Sequence, residues 1–286
     1  MGICGAEKRK NNFKLCCSKD WGVEMEIVVC IKQVPGTNKV DVDPVTGVLK
    51  RDGVDSKMNP YDLYAVETAL RIKSEKGVRV NVISMGPPQA AEVIKEAFMM
   101  GADDGILLSD RKFAGADVLA TAYTLSQGIK KLGGHELILC GKQTTDGDTA
   151  QVGPEMAEYL GIPHAANVRK IHEVGEESIL VEIDLLDSVQ VAEIRYPCLI
   201  TVEKDIYQPR LPSFKRKLEI RNKAVRILAL KDFEDQDESS YGLNGSPTKV
   251  ERIFPPEVNN DREIWKDCSQ ELSQKLFTKL KELKYI

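Results

Sequence analysis

The chain reads Leu137-Ile138-Leu139-Cys140 and then Gly141-Lys142-Gln143-Thr144-Thr145-Asp146-Gly147-Asp148-Thr149-Ala150-Gln151-Val152-Gly153-Pro154. The first four residues are apolar, as in the buried strands of parallel sheets. Small, polar and acidic residues follow, and apolar side chains then recur at helical spacing at Val152, Met156, Tyr159 and Leu160. The stretch therefore predicts a buried strand, a loop and the start of a helix, which is the repeating unit of an α/β fold.

The junction between this strand and this helix favours phosphate binding. The first turn of a helix has N–H groups without intrahelical partners and the positive end of the helix dipole, an arrangement that binds anions. Thr149 adds a hydroxyl, and Ala150 and Gly153 allow a ligand to approach the backbone closely. The lysine of a Walker loop is absent before Thr149, so this is not a P-loop. An ordinary helix start with Asp148 or Thr149 as its N-cap is the alternative that the stretch leaves open.

The composition is that of an ordinary globular protein. The chain has 286 residues, of which 42% are hydrophobic and 29% are charged, and its formal net charge is −4. This charge gives no global basic field, so we expect no nucleic-acid partner. No apolar run approaches the ~20 residues that cross a bilayer, and the N-terminal segment lacks the apolar core of a signal peptide. We therefore expect no membrane insertion and a cytoplasmic location.

Cysteine and histidine spacing argues against a metal site and against acid–base catalysis. Seven cysteines are present without a CxxC pair, an odd number that indicates reduced thiols. The three histidines have no spacing typical of metal ligands, and no Ser-His-Asp constellation can be argued from them. We therefore predict no metal ligands and no catalytic residues.

Strand-like and helix-like segments alternate from Met25 onwards. Strands are expected at residues 26–31, 78–84, 105–108 and 137–140, and helices at 91–100 and 118–132. Such alternation predicts a parallel sheet covered on both faces, with ligands beyond the carboxyl ends of its strands.

Four segments are expected to meet at that edge: residues 30–35, 84–87, 141–154 and a predicted helix start at 58–62. In the last segment Asn59 suits the N-cap, Pro60 the first helical position and Asp62 the third.

The second half of the chain has a different pattern. Residues 179–183 and 189–194 predict a β-hairpin, and 198–202 predict one more strand. Prolines flank Arg210-Leu211 and predict a protruding loop, in which Leu211 is either an exposed tip or a plug for the local core. An acidic, Gly- and Ser-containing stretch at 231–248 predicts an extended arm, and apolar residues recurring every four positions predict a terminal amphipathic helix at 264–283.

Several of these motifs together resemble the beta (small) subunit of electron transfer flavoprotein. The resemblance runs in order from Met25 to Ile286, and its motifs are Val28-Val29-Cys30-Ile31-Lys32-Gln33-Val34-Pro35, Met58-Asn59-Pro60-Tyr61-Asp62, Ser84-Met85-Gly86-Pro87, Gly101-Ala102-Asp103 and Gly141 to Pro154. It implies a Rossmann-like, adenine-nucleotide-binding fold in a heterodimer with an alpha subunit. The domains expected are an N-terminal extension of unknown role (1–24), the nucleotide- or FAD-binding domain (25–230) and a C-terminal arm and helix that pack on the alpha subunit (231–286).

The resemblance also implies a cofactor and electron-transfer partners. The beta subunit holds AMP in the respiratory branch of this family and a second FAD in the electron-bifurcating branch. The form of residues 146–154 and of 84–88 is similar to the bifurcating branch, so we expect FAD, with AMP as the alternative. NAD(H), ferredoxin and a flavin-dependent dehydrogenase of acyl-CoA or 2-hydroxy-acid type are the implied redox partners. A nucleotide-binding regulatory protein is the alternative from another class, although the C-terminal arm and helix argue against it.

The resemblance assigns residues as well. The cofactor-binding positions that it implies are Cys30, Asn59, Asp62, Ser84, Met85, Gly86, Gly141, Lys142, Gln143, Thr144, Thr145, Asp146, Gly147, Asp148, Thr149, Ala150, Gln151 and Val152. Leu211 matches the residue by which the family docks on a partner dehydrogenase. The chain departs from the respiratory pattern at Cys30 and Met85, and this bears on the fit of the nucleotide.

Overall fold

The structure is a computed structural model, and it describes residues 25–36, 56–251 and 262–286. The expected extension at 1–24 lies outside the described residues. The strands are β1 (Glu26–Cys30), β2 (Gln33–Pro35), β3 (Ser56–Met58), β4 (Arg79–Met85), β5 (Asp104–Leu108), β6 (Leu137–Gly141), β7 (His164–Val174), β8 (Ser178–Asp184), β9 (Val189–Arg195), β10 (Cys198–Val202) and β11 (Arg226–Leu228). The helices are α1 (Pro60–Lys76), α2 (Ala91–Met100), α3 (Val118–Lys130), α4 (Val152–Leu160), α5 (Phe214–Glu219) and α6 (Ser269–Glu282).

Nine of the described strands form one sheet in the order β11-β5-β4-β1-β6-β10-β7-β8-β9. Every neighbouring pair from β11 to β7 is parallel, whereas β8 and β9 extend the sheet as an antiparallel hairpin. The chain fills one side of β1 with β4 and β5 and then crosses to the other side with β6. The strand order therefore reverses between β1 and β6, which is where open α/β sheets bind ligands.

Helices cover both faces of the parallel part of the sheet. Val29 and Val82 pack with the residues of α1 and α2 on one face. Val28 and Ile83 pack with those of α3 and α4 on the other. Because consecutive strand residues point to opposite faces, each central strand is apolar throughout. The expected α/β fold with a Rossmann-like parallel sheet is confirmed.

The sequence did not predict strand β7. Only three of its eleven residues are buried, so it lacks the alternation of a half-buried strand. Asn167 also takes a left-handed backbone conformation (φ 59°), and the register to β8 shifts twice. These irregularities break the period of two on which recognition of a strand depends.

The stretch expected to be an extended arm packs on the same domain. Phe233 and Tyr241 are buried, and the Phe233 ring stacks on Phe113 at 5.5 Å between centroids. Further along, the backbone N–H and hydroxyl of Thr248 donate to the Asp117 carboxylate at 3.0 and 2.7 Å. The boundary expected at residue 230 is therefore not a break in packing, because these aromatic side chains complete the core over α3.

The last described segment, residues 262–286, belongs to a second compact unit. Helix α6 begins at Ser269, five residues later than expected, because the backbone at Cys268 is still extended (ψ 155°). Leu276 and Phe277 on this helix are about half exposed. Among the described residues, no helix is both long enough and apolar enough to cross a membrane.

Candidate functional site

The candidate site lies at the carboxyl ends of β4, β1 and β6. Cys30 at the end of β1 is the register partner of Cys140 in β6 and of Ile83 in β4. The strand order reverses between β1 and β6, and the helices α1 and α4 pack on opposite faces of the sheet. Open α/β sheets typically form a ligand-binding crevice at such a point. Three of the four segments expected at this edge, namely 30–35, 84–87 and 141–154, follow directly from these strands.

The fourth segment reaches the same place through Asp62, in the first turn of α1. Its carboxylate accepts hydrogen bonds from the Lys32 backbone N–H at 2.7 Å and from Asn59 Nδ2 at 2.9 Å. Burial raises the pKa of Asp62 to about 7, against the opposing effects of Asn59, of Lys32 and of the Gly141 N–H. One carboxyl group thus connects α1 to the ends of both β1 and β6.

Asn59 has a different role from the one that its position suggests. It occupies the N-cap of α1, as predicted, but its side chain makes no capping hydrogen bond. Instead Nδ2 donates to the carbonyl oxygen of Gln143 at 2.9 Å, and Oδ1 accepts from the Thr145 N–H at 3.2 Å. Asn59 is completely buried. Its amide therefore fixes the backbone of the loop after β6 against α1.

Gly141 allows the loop and the helix to approach this closely. A Cβ atom at this position would lie 2.5 Å from Asp62 Oδ1 and 2.6 Å from the carbonyl carbon of Tyr61. Contacts under 3.0 Å essentially never occur for real Cβ atoms. The last residue of β6 must therefore be glycine for α1 to approach the strand this closely.

Charged side chains extend the same connections over the loop. The Lys32 ammonium lies 2.8 Å from the Asp146 carboxylate, and the Lys142 ammonium lies 2.6 Å from Glu203 at the end of β10. Although burial opposes it, the contact with Lys32 lowers the pKa of Asp146. Lys32 is thus a cation held at the mouth of the crevice, where an anionic ligand would compete with Asp146 for it.

The helix after the loop begins later than either predicted N-cap. Helix α4 starts at Val152 with Gln151 at its N-cap, and no side chain caps it. Asp148 and Ala150 instead take left-handed conformations, with φ of 55° and 57°. The alternative in which Asp148 or Thr149 is an ordinary N-cap is therefore wrong. Left-handed non-glycine residues cost energy and are concentrated at binding sites.

The remaining predicted loop residues surround this turn. Gly147 N–H donates to Thr144 Oγ1 at 3.3 Å, and the Gln143 side chain is hydrogen-bonded to Asp148. Thr149 is exposed and lies three residues before α4. Its hydroxyl is therefore accessible to a ligand beside the N-terminus of this helix.

The floor of the crevice carries three sulfur atoms. Cys30 Sγ lies 4.0 Å from Met156 Sδ in α4, and hydrogen bonding to Cys30 is the main cause that raises the pKa of Cys140. Both cysteines are almost completely buried. This sulfur cluster beneath the strand ends is thus apolar and polarisable, a character that suits an aromatic base placed over it.

The end of β4 brings Ser84, Met85 and Gly86 to the edge of the site. The alternation of the strand points Ser84 toward the α1/α2 face and Met85 toward the α3/α4 face, together with Cys30. The Ser84 hydroxyl is buried without a hydrogen-bond partner, whereas Gly86 donates its N–H to the Leu108 carbonyl at 3.0 Å. Of these three residues, Met85 is placed to join Cys30 in the apolar floor.

These features fit an adenine nucleotide. The apolar floor suits a base, Asp62 supplies a carboxyl group beside it, and the loop with the uncapped start of α4 supplies N–H groups for phosphate. Lys32 adds a positive charge at the mouth. The donor set contains no cluster of metal ligands in the part of this site that the structure describes.

Comparison with known proteins assigns the chain to a family. The electron transfer flavoprotein domain matches residues 46–232, which is more than half of the chain. The chain belongs to the electron transfer flavoprotein family.

The curated relatives within this family are similar over nearly the whole chain. The electron transfer flavoprotein subunit beta of Clostridium acetobutylicum is 45% identical over 262 residues, covering 92% of this chain and 100% of the relative. The caffeyl-CoA reductase–Etf complex subunit CarD of Acetobacterium woodii is 43% identical, covering 90% and 98%. The acryloyl-CoA reductase electron transfer subunit gamma of Anaerotignum propionicum is 40% identical, covering 88% and 99%. The expected resemblance to the beta subunit is confirmed.

Four residues of the candidate site were not among the binding positions that the sequence predicted. Lys32, Cys140, Met156 and Glu203 all contact residues that were predicted. Lys32 had a signal, because it lies two positions after Cys30 at the end of a predicted strand. No sequence pattern marked Glu203, because its ion pair with Lys142 exists only when β10 lies beside β6.

Leu211 lies in the loop before α5 and is not one of the residues of the candidate site. Its side chain is 88% exposed, which is inconsistent with a plug for the local core. Phe214 and Leu218 on α5 are also well exposed. Together these three apolar side chains form the surface that we call the α5 ridge.

The stability of this family member should depend on pH through Asp62. A folded-state pKa of about 7 against an ordinary value of 3.8 means that the folded protein holds this proton more tightly than the unfolded chain. The contribution is fully present below pH 3.8 and is lost as the pH rises through about 7. Between pH 5 and pH 7 we expect the free energy of unfolding to fall by about 2 kcal/mol, because one proton contributes at most about 1.4 kcal/mol per pH unit and Asp62 is only half titrated at pH 7.

Denaturant unfolding at several pH values, with Asp62→Asn as the comparison, measures this effect. The variant cannot titrate at this position, so the difference in unfolding free energy between the two proteins should change across this range. A difference that is independent of pH would show that Asp62 is already ionised at pH 5.

Proposed function

We propose that this chain is the small subunit of a heterodimeric electron transfer flavoprotein that works by flavin-based electron bifurcation or its reverse. It would bind FAD in the crevice between β1 and β6 and exchange electrons with NAD(H), with a low-potential acceptor such as ferredoxin, and with a partner flavin dehydrogenase. The alternative within the same family is a non-bifurcating carrier with structural AMP in this crevice. Either protein would act in the cytoplasm.

The observation that carries the proposal is the set of contacts among α1, β1 and the loop after β6 at the point where the strand order reverses. Asp62, Asn59 and Gly141 connect α1, β1 and the loop after β6 into one rigid edge. Binding sites held by such mutual contacts lose little entropy when the ligand arrives. An adenine nucleotide is the ligand that this edge, the soft floor and the phosphate-binding loop suit together.

The names of two relatives favour a partner of acyl-CoA type. One belongs to a caffeyl-CoA reductase–Etf complex and the other to an acryloyl-CoA reductase. Both names refer to reduction of a CoA thioester. A 2-hydroxy-acid dehydrogenase remains the second candidate for the partner. These names also support the bifurcating reading over the carrier with AMP.

The residues of this chain would bind and orient the cofactor. A bound FAD would supply the hydride and single-electron chemistry, so the residues of this chain would need no acid–base dyad of their own. Asp62 and the Cys30 floor would hold the adenosine part, and Thr149 with the N–H groups of α4 would hold the pyrophosphate. Lys32 would leave Asp146 to neutralise phosphate charge.

Flavin content of the purified alpha–beta pair tests the proposal directly. We expect two FAD molecules per heterodimer, released by denaturation and quantified by chromatography together with AMP. One FAD and one AMP per heterodimer would overturn the FAD assignment in favour of the AMP-containing carrier. In the bifurcating protein, rapid NADH oxidation should also require ferredoxin and the dehydrogenase at the same time.

The α5 ridge is the proposed docking surface for the dehydrogenase. Leu211 projects from the loop, and Phe214 and Leu218 continue the apolar surface. The basic residues of α5, Lys215, Arg216 and Lys217, flank it and would steer a partner with an acidic rim. A few apolar anchors commonly carry most of the binding free energy of an interface.

Replacing Leu211 by alanine should weaken docking without affecting the fold. If Leu211 contributes about 2 kcal/mol to the binding free energy, its loss corresponds to an increase of about 30-fold in the KM of the dehydrogenase for the alpha–beta heterodimer. FAD content, the melting temperature and NADH oxidation with an artificial acceptor should stay unchanged, because Leu211 is exposed. Leu186→Ala is the matched control, since Leu186 is fully exposed on the β8–β9 turn. An equal effect of both substitutions would argue against docking at Leu211.

The C-terminal unit is the proposed contact with the alpha subunit. Leu272, Leu276 and Leu280 form an apolar stripe on α6, and Leu276 is about half exposed. Stripes of this kind mark interaction sites. We expect a chain ending at Val250 to keep the packing of Phe233 and Tyr241 and therefore to fold, but to be recovered with alpha in much lower yield.

Affinity co-purification of alpha with the full-length and shortened chains measures this effect. Circular dichroism of the shortened chain is the control for folding. Normal recovery of alpha with a folded, shortened chain would assign the C-terminal unit another role.

A further inference from the structure

The loop that carries Leu211 is fastened on both sides of that residue. On one side, Arg210 contacts Glu67 in α1. On the other side, the Ser213 N–H donates to the Met99 carbonyl at the end of α2, at 3.0 Å. Only Leu211 and Pro212 lie between these anchors. The exposed leucine is therefore presented by two helices of the parallel domain, although it lies on an irregular segment.

The contact with Glu67 is the stronger anchor. Glu67 Oε2 accepts from Arg210 Nε at 2.7 Å and from the Arg210 backbone N–H at 3.1 Å, while Oε1 accepts from Nη2 at 3.1 Å. The carboxylate thus holds the guanidinium in a bidentate pair and the peptide N–H of the same residue. Because both its side chain and its backbone are held, Arg210 has little conformational freedom. The backbone of its neighbour Leu211 is therefore restricted as well.

The surroundings keep Glu67 ionised and in place. Its side chain is only 4% exposed, and Arg71 Nε adds a contact at 3.2 Å. Although burial opposes it, hydrogen bonding to Arg210 lowers the pKa of Glu67. The Arg71 guanidinium also lies over the Tyr207 ring, 4.4 Å from its centroid. A buried carboxylate in such a network has one well-defined position, so the loop that it holds has one as well.

We propose that Glu67 is a positioning residue for docking: it holds the Arg210 backbone so that Leu211 is ready for the dehydrogenase before contact. This inference rests on the docking role proposed for Leu211. A free loop would have to be ordered at the moment of binding, which costs affinity. Glu67 lies in α1, whose first turn carries Asp62, so one helix serves both the nucleotide crevice and the docking loop.

Kinetics of the alpha–beta heterodimer with its dehydrogenase test this inference in a double-mutant cycle. We expect Glu67→Gln to raise the KM of the dehydrogenase for the alpha–beta heterodimer about fivefold, with little change in kcat. The increase reflects the cost of ordering the released loop on binding. In the Leu211→Ala background the same substitution should have no further effect, because there is no anchor left to position. FAD content and NADH oxidation with an artificial acceptor should not change.

Two further variants keep the test decisive. Glu92→Gln on α2 removes an exposed carboxylate that pairs with Lys95 and is the matched control. Arg210→Lys keeps the charge but loses the bidentate geometry, so it replaces Glu67→Gln if that variant does not fold. The increase in KM caused by Arg210→Lys should likewise disappear in the Leu211→Ala background.

Each outcome separates the two proposals. Unchanged KM in Glu67→Gln, with a normal effect of Leu211→Ala, overturns positioning by Glu67 and leaves docking at Leu211 intact. Equal effects of Glu67→Gln in both backgrounds overturn it as well, since Glu67 then acts through general stability. No effect of Leu211→Ala overturns the docking role itself.

Discussion

Replacing Gly141 by alanine should disrupt the proposed nucleotide site by pushing α1 away from the end of β6. The new methyl group would lie 2.5 Å from Asp62 Oδ1 and 2.8 Å from the Asp62 backbone nitrogen. The backbone of α1 cannot move away without breaking the hydrogen bonds of Asn59 to the loop. We expect the free energy of unfolding to fall by about 1–3 kcal/mol, as is typical of overpacked sites. The nucleotide should be lost, because the edge that holds it is displaced.

Gly147→Ala is the matched control for this substitution in the same loop. A Cβ atom there would meet only Thr144 Oγ1, at 3.3 Å, a contact that a small side-chain movement relieves. Denaturant unfolding of the two purified variants should therefore differ sharply, and the nucleotide content of Gly141→Ala is compared with that of the unsubstituted protein. Retention of nucleotide by Gly141→Ala would mean that contact between this strand end and α1 is not needed for binding.

Replacing Thr149 by glutamate should expel the nucleotide while leaving the domain folded. Thr149 is exposed and lies just before the uncapped start of α4. A carboxylate there would compete for the same N–H groups and repel a pyrophosphate, and the helix dipole would stabilise it in that place. We expect nucleotide content near zero, with a circular dichroism spectrum that still shows a folded domain.

Thr149→Gln separates charge from size in this test, since glutamine has nearly the same volume without the charge. We expect it to retain more nucleotide than the glutamate variant. If the glutamate variant were purified with a full complement of nucleotide, the phosphate groups could not lie at the start of α4.

Much of the fold follows from local sequence patterns. Strands β1, β4, β5 and β6 and helices α2 and α3 were predicted within a few residues, because buried parallel strands are apolar throughout and amphipathic helices repeat every 3.6 residues. Strand β7 was not predicted, since its bulges at Asn167 and beyond break that regularity.

The candidate site was predictable as a set of segments but not as a set of contacts. The segment at 58–62 looked complete as a helix start, with Asn59 as its cap. In the structure the Asn59 amide instead bonds residues more than eighty positions later in the chain. Such a contact depends on the order of the strands, and no local pattern records it. Glu203 and Met156 were not predicted as site residues for the same reason.

The arm at 231–248 shows the same limit on a larger scale. Its polar composition predicted an extended segment, yet Phe233 and Tyr241 are buried over α3. Two aromatic side chains outweigh many polar ones, because each buries far more apolar area when a surface is available. Whether that surface exists is decided by the rest of the domain.

The sequence alone determined the α/β class and the resemblance to a beta subunit of electron transfer flavoprotein, and it predicted the carboxyl edge of the sheet as the location of the candidate site. These depend on periodicity and on short motifs, which are local properties of the chain. Tertiary structure alone decided that Asp62 joins three elements, that Lys32 faces Asp146, and that Glu67 holds the loop of Leu211. Each is a contact between distant segments, and burial and charge act between atoms only once folding has brought them together.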